Sequence, residues 1–306
     1  MGKTAEHGDE NEAVNNLDRK GLQSWKPEFE WMQQLGVYQN LAKFLRLQRG
    51  DIFLDICSGA CPLETELLKT QPGIHTLAIE TNGHTNALAV EQLRANGIAA
   101  HNVTGRSGDE ILCKGPNRDK DIYRRKWDLL KDEVMLLQAS INDFSRAQEI
   151  LEPQKVSAVA YTFSGLSPKE LAKANIPHDI PDNPEFLEAK EEHKRSAFAL
   201  ATALTASGGK LLRAERMNVS DLNQDSLELL PTLLCNQFRK KLQKYWDLED
   251  FQYGPNSPKI SVATMFLEPA VFSRRIVNAV LLRRNQRPCG IEEANDFTRT
   301  MNTEFL

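Results

Sequence analysis

From Trp25 to Leu47 the apolar residues recur at helical spacing, at Phe29, Met32, Leu35, Tyr38, Leu41, Phe44 and Leu45. This predicts one or two helices ahead of the main fold. The period then changes. Ile52 to Cys57 is a short apolar run followed by Ser58-Gly59-Ala60 and by Pro62, a residue that suits the first turn of a helix. Leu63, Leu67 and Leu68 continue at helical spacing until Gln71-Pro72-Gly73. Thr76 to Ile79 reads as a second strand, ended by Glu80; Leu88, Ala89 and Leu93 then share a helix face that stops at Asn96-Gly97. Strand, helix, strand, helix predicts a parallel sheet.

A possible strand at Ile98 to Val103 is followed by a polar stretch, about 105–132, read as an insertion or long loop. Val134 to Leu137 restores the strand pattern, and Val156 to Phe163 is another strand. A Pro-rich loop leads into a long helix from Pro184 to Ser207, stopped by Gly208-Gly209, and Lys210 to Ala214 is a fifth strand. Residues 222–247 read as helical, interrupted by Pro231. Ile260 to Leu267 and Arg275 to Leu282 are close enough to form an antiparallel pair at the sheet edge. The expected fold is therefore α/β: a doubly wound, mostly parallel, seven-stranded sheet with an antiparallel edge pair and an N-terminal helical extension. The expected divisions are a disordered acidic tail (1–20), a helical cover (21–48), the main domain (49–285) and a C-terminal tail (286–306).

Composition changes this picture little. The 306 residues are 41% hydrophobic and 26% charged, as in ordinary globular chains. With 38 basic and 42 acidic residues the net charge is -4, which speaks against a general polyanion binder. No apolar run approaches a membrane span, and the N-terminus lacks the apolar core of a secretory signal. The five cysteines, Cys57, Cys61, Cys113, Cys235 and Cys289, are scattered, with no CxxC pair and no metal spacing. Reduced thiols in a cytoplasmic protein without a metal are expected.

The chemistry concentrates in Asp55-Ile56-Cys57-Ser58-Gly59-Ala60-Cys61, between a strand and a helix. A small-residue turn there lets backbone N–H groups approach a ligand at a helix N-terminus. Glu80 ends the next strand, where a carboxylate can accept hydrogen bonds from both hydroxyls of a ribose. With these residues the chain resembles the class I S-adenosylmethionine-dependent methyltransferases. Asp55 to Cys61 falls on their first motif, D-x-[GC]-x-G-x-G, with Cys57 and Cys61 where glycines are usual and Gly59 retained. Glu80 matches their ribose-binding acid. Asn142-Asp143-Phe144 loosely matches the segment beside the adenine, and Tyr161-Thr162-Phe163-Ser164 occupies the place of the loop facing the methyl group. The resemblance covers roughly residues 50–285. It implies S-adenosylmethionine as cofactor, held by Asp55, Cys57, Ser58, Gly59, Ala60, Glu80, Thr81, Asn142, Asp143, Phe144, Tyr161 and Thr162.

A catalytic group is not marked. Tyr161 and Phe163 are candidates to face the sulfonium by cation–π attraction, or else are core residues. His178, in the Pro-rich loop, is a candidate general base, or else a surface histidine. Trp25, Phe29 and Trp31 either lid the substrate or pack the N-terminal helices onto the sheet. Neither G-x-G-x-x-G nor G-x-x-x-x-G-K-[ST] occurs, which speaks against NAD and nucleoside triphosphate chemistry. The sequence TFSG after the fourth strand lacks the base-methylating [DNS]-P-P-[YFW] signature, and no Pro-Cys nucleophile stands there. A small organic methyl acceptor is the expectation. A protein lysine or arginine, or a scaffold role without catalysis, are the alternatives.

Overall fold

The computed structural model describes residues 6–105, 110–114, 121–125, 133–140, 151, 155–163, 184–218, 236, 242–252, 259–263 and 272–300. Two helices lead, α1 (Glu6–Gln34) and α2 (Val37–Leu45). The first half of the sheet follows: β1 (Ile52–Ile56), α3 (Pro62–Thr70), β2 (His75–Glu80), α4 (Gly83–Ala95), β3 (Ala99–Gly105), β4 (Glu110–Lys114), β5 (Asp121–Arg125) and β6 (Glu133–Gln138). The second half comprises β7 (Val156–Thr162), α5 (Pro184–Leu204), β8 (Thr205–Asn218), β9 (Trp246–Gln252), β10 (Lys259–Ala263), β11 (Phe272–Arg284) and α6 (Ile291–Arg299).

The strand order is β10-β11-β8-β7-β1-β2-β6-β3-β4-β5, with β9 also paired to β11. The five central strands, β6-β2-β1-β7-β8, are parallel, as is β3 on β6. This is a doubly wound, Rossmann-like sheet, and β11 enters it antiparallel to β8. Burial on both faces explains the near-continuous apolar strands. Leu54, Ile56, Leu77, Val159 and Leu211 face the side covered by α5 and α6. Phe53, Ala78, Val134, Ala158 and Leu212 face the side covered by α1–α4.

Four readings of the sequence change. Among the described residues the sheet has eleven strands where seven were expected. Three of them lie where none was expected: β4 and β5 within the stretch read as a loop, and β9 on β11, while β10 and β11 form the expected antiparallel pair. Strands β4 and β5 extend the sheet beyond β3 as an antiparallel pair. The chain is helical from Glu6, inside the stretch read as a disordered tail, because α1 is docked at Asp18, a buried residue whose carbonyl accepts from Asn82 Nδ2 at 2.9 Å. In the C-terminal tail, α6 buries Ala294 and Phe297, with Phe297 edge-on to Tyr245. Trp246, read as the end of a helix, begins β9 and donates from Nε1 to Thr202 Oγ1. Residues 222–235 and 237–241 lie outside the described residues.

Among the described residues no helix is long and apolar enough to cross a membrane. No cluster of His, Cys, Asp or Glu among them is suited to a metal ion.

Candidate functional site

Strand β1 has β2 on one side and β7 on the other, so the winding of the sheet reverses there. Crevices for ligands open at the carboxyl ends of the strands at such a switch point. The turn from Cys57 to Cys61 lies at that point. Register pairs Ile56 with Ile79 on β2 and with Tyr161 on β7, which brings Glu80 and Thr162 to the level of Cys57.

The turn is held in an uncommon backbone conformation. Cys57, Gly59 and Cys61 have φ of 62°, 57° and 57°. Phe163, just past β7, has φ 51°. Among the described residues the only other non-glycine with positive φ is Arg46. Cysteine adopts this left-handed region at a cost of roughly 1–2 kcal/mol. Cys57 and Cys61 thus keep the conformation for which glycine is the usual residue, and the departure from the motif changes side chains, not the path of the chain. Strain gathered at the ends of two adjacent strands is a mark of a site.

Most of the turn's N–H groups are engaged internally. Ser58 N–H donates to the Ile79 carbonyl (3.0 Å), Cys61 N–H to the Ser58 carbonyl (3.0 Å) and Gly59 N–H to Glu80 Oε2 (3.1 Å). These three amides are engaged within the protein, as a tight turn closes on itself. Glu80 is the brace. Its other oxygen accepts from Asn82 N–H (2.8 Å) and from the Thr81 hydroxyl (3.4 Å). A carboxylate has about four acceptor positions, so capacity remains for further donors. Burial raises its pKa, and the amides of Asn82 and Gly59 pull it back.

Beneath the turn lie Asp55 and Glu64, both buried. Burial raises Asp55 well above the ordinary carboxylate range, and the charge of Glu64 adds to it. Glu64, in the first turn of α3, is raised by burial to about 7, held back by backbone hydrogen bonding and by the Asp55 and Cys61 side chains. The Cys61 thiol is pushed up as well, first by burial and then by the charges of Glu64 and Asp55. Burial thus pushes Asp55 and Glu64 toward their neutral, protonated forms, and Glu80 is the carboxyl whose charge the surrounding amides support.

Helix α1 closes the turn from above. A Cβ built on Gly59 would meet Trp25 Cη2 at 2.7 Å and Cζ2 at 3.0 Å, so the indole rests directly on the glycine. Trp25 stacks on Phe29 (5.0 Å, 16°), Phe29 meets Tyr38 (5.9 Å), and Tyr38 is edge-on to Phe163 (5.9 Å, 88°). An aromatic ladder therefore runs from the β1 turn to the end of β7. Phe29 is a core residue, and Trp25 covers the turn itself.

Of the other expected site residues, Ser58, Ala60 and Thr162 are buried in the walls. Tyr161 is buried on the α5 side and Phe163 is buried as the last ring of the ladder, so both take the core role. Asn142, Asp143, Phe144, Ser164 and His178 lie outside the described residues. Two residues were not singled out in the sequence. Glu64 reads as an ordinary first-turn acid. His193 is legible in retrospect, because with Ser196, Ala197, Leu200 and Leu204 it continues the buried stripe of α5. Its Nε2 lies 3.3 Å from Cys57 Sγ.

No protein-family model matches the chain, and no curated protein matches it. Several solved structures are similar in layout. One is the chain solved with the Trm112 methyltransferase activator of Haloferax volcanii, at 11% identity over 89% of this chain and 99% of that one, TM-score 0.46. Another is TrmN from Thermus thermophilus, at 14% identity over 81% of this chain and 48% of that one, TM-score 0.42. A third is precorrin-6y C5,15-methyltransferase from Geobacter metallireducens, at 12% identity over 81% of this chain and 87% of that one, TM-score 0.40.

Proposed function

We propose that the chain is an S-adenosylmethionine-dependent methyltransferase acting on a small organic acceptor. The observation that carries this reading is the pairing of the strained Cys57–Cys61 turn with Glu80 at the switch point of the sheet. A glycine that tolerates no side chain, beside a carboxylate with acceptor capacity, suits a nucleoside whose ribose hydroxyls donate to Glu80. Glu80, whose charge the Asn82 and Gly59 amides support, suits a cofactor that carries a sulfonium and an amino group, both positive. Asn142, Asp143 and Phe144 would flank the adenine.

The cofactor brings an already activated methyl group, and the protein's part is alignment and exclusion of water. The aromatic ladder supplies the exclusion. Trp25 leaves no room for even a methyl group above Gly59, so a nucleoside reaches the turn only as the indole swings aside. The net charge of -4 favours a small or cationic acceptor over a nucleic acid.

Isothermal calorimetry with S-adenosylmethionine and with S-adenosylhomocysteine tests the cofactor. Binding in the micromolar range supports the reading, and no heat at millimolar ligand ends it. Transfer of labelled methyl to cell extract split by size tests the acceptor. Label confined to the small-molecule fraction supports the proposal, and label confined to macromolecules replaces the acceptor with a protein or RNA.

A further inference from the structure

On the opposite side of β1 from the three carboxyls, the turn carries a second arrangement of groups that methyl transfer does not use. Cys57 is half-buried, its backbone is held at φ 62°, and its Sγ lies 3.3 Å from Nε2 of His193 on α5. His193 is almost fully enclosed, with 3% of its surface exposed, and its ring lies 6.2 Å from that of Tyr161. A thiol and an imidazole in hydrogen-bond contact, one partly open and the other enclosed, form a nucleophile and base. Continued strand alternation would put Cys57 on the face of Phe53, away from α5, whereas at φ 62° it packs against the cluster that contains Ile56 and the buried face of α5.

We infer that Cys57 and His193 form a thiolate–imidazolium pair, a nucleophilic site at the carboxyl end of β1 that takes soft carbon electrophiles. In the pair the thiol proton already rests on His193 Nε2. The sulfur's electron pair forms a bond to the electrophilic carbon, and the leaving group departs with the electrons of the broken bond. With iodoacetamide, the S–C bond forms at the methylene carbon, the C–I bond breaks and iodide leaves.

The titratable groups of the surrounding elements are defined. Strand β7 contributes Tyr161. Strand β8 contributes Arg213 and Glu215, and α5 contributes Lys194. Burial alone would raise Glu215, but Arg213 (2.8 Å) and Lys194 (3.1 Å) hold it at about 2. Glu215 therefore stays ionised through the neutral range, while burial lowers Lys194 and the charge of Glu215 opposes that. Asp55, Glu64 and Glu80 lie at the turn itself. Cys61 and Cys289 are buried thiols pushed up by burial, and serve as internal references for an unactivated sulfur.

The test is alkylation by iodoacetamide between about pH 6 and pH 9, with each cysteine quantified by peptide mass spectrometry. The expected result is a Cys57 rate at about pH 6 within roughly tenfold of its rate at about pH 9. His193→Gln should lower the rate at pH 6 by more than about tenfold and leave the rate at pH 9 within a few-fold. A Cys57 rate that climbs with pH like an ordinary thiol, or a profile unchanged by His193→Gln, overturns the proposal. Should that variant fail to fold, the imidazole titration of His193 is followed by NMR in the unaltered chain and in Cys57→Ser. A His193 pKa that falls on loss of the sulfur supports the pair, and an unmoved pKa overturns it. No cofactor or acceptor enters either experiment, so its failure leaves the methyltransferase reading untouched.

Discussion

At the scale of single residues, Gly59 is the position at which the turn and α1 meet. Gly59→Ala introduces a Cβ at φ 57° and 2.7 Å from the Trp25 ring. The backbone contributes roughly 1–2 kcal/mol of destabilisation, and the displaced indole adds to it. Trp25→Ala in the same chain should recover the indole's share and leave the backbone's. Urea unfolding of the two single variants and the double variant measures the coupling, and strict additivity would place the indole away from the turn. Glu64 makes a second prediction. Its folded pKa of about 7 exceeds the ordinary 4.5 because burial disfavours its charge. The folded chain thus holds a proton that the unfolded chain has released, so stability falls as pH rises from about 4.5 to about 7 and levels off above. Glu64→Gln should flatten that slope and stabilise the protein above pH 7 by up to about 3 kcal/mol. Denaturation midpoints at about pH 5 and pH 8 decide it; a midpoint difference unchanged by the substitution would mean that Glu64 is not the source.

At the scale of elements, Asn82 joins α4 to α1. Its Oδ1 caps α4 by accepting from the amides of His84 (2.9 Å) and Thr85 (3.2 Å), while its Nδ2 donates to the Asp18 carbonyl. Asn82→Ala removes both and should cost about 1–2 kcal/mol. Asn82→Ser keeps a cap and loses only the hold on α1, so it should cost less in global stability. Both variants should lose hydrogen-exchange protection in α1 about equally. If Asn82→Ser leaves that protection intact, the side chain does not anchor the helix. The central βα units were legible from local pattern, since apolar strands end in turn residues and Pro62 opens a helix. Strands β4 and β9 were not. Glu110–Lys114 and Trp246–Gln252 mix charge with apolar residues, and only a partner across the ladder turns such segments into strands.

At the scale of the whole molecule, α1 covers the surface of the β1 turn that the proposed cofactor would need. Trp25→Ala should tighten S-adenosylmethionine binding several-fold while lowering melting temperature, because the indole now fills the approach to Gly59. Calorimetry alongside thermal unfolding reads both; weaker binding in the variant would make Trp25 part of the cofactor's own contact surface. The sequence by itself determined the doubly wound class, the order of the central strands' neighbours in the chain, and the turn from Asp55 to Cys61 with Glu80 beyond it. Those features are local, set by periodicity of 2 and 3.6 residues and by turn chemistry within a few positions. Only the tertiary structure decided that Glu80 braces Gly59, that Trp25 lies on the same glycine, and that His193 meets Cys57 from a distance of 136 residues. Each of these contacts depends on how helices settle against the two faces of the sheet. Side-chain packing across layers sets that arrangement, and no repeat along the chain encodes it.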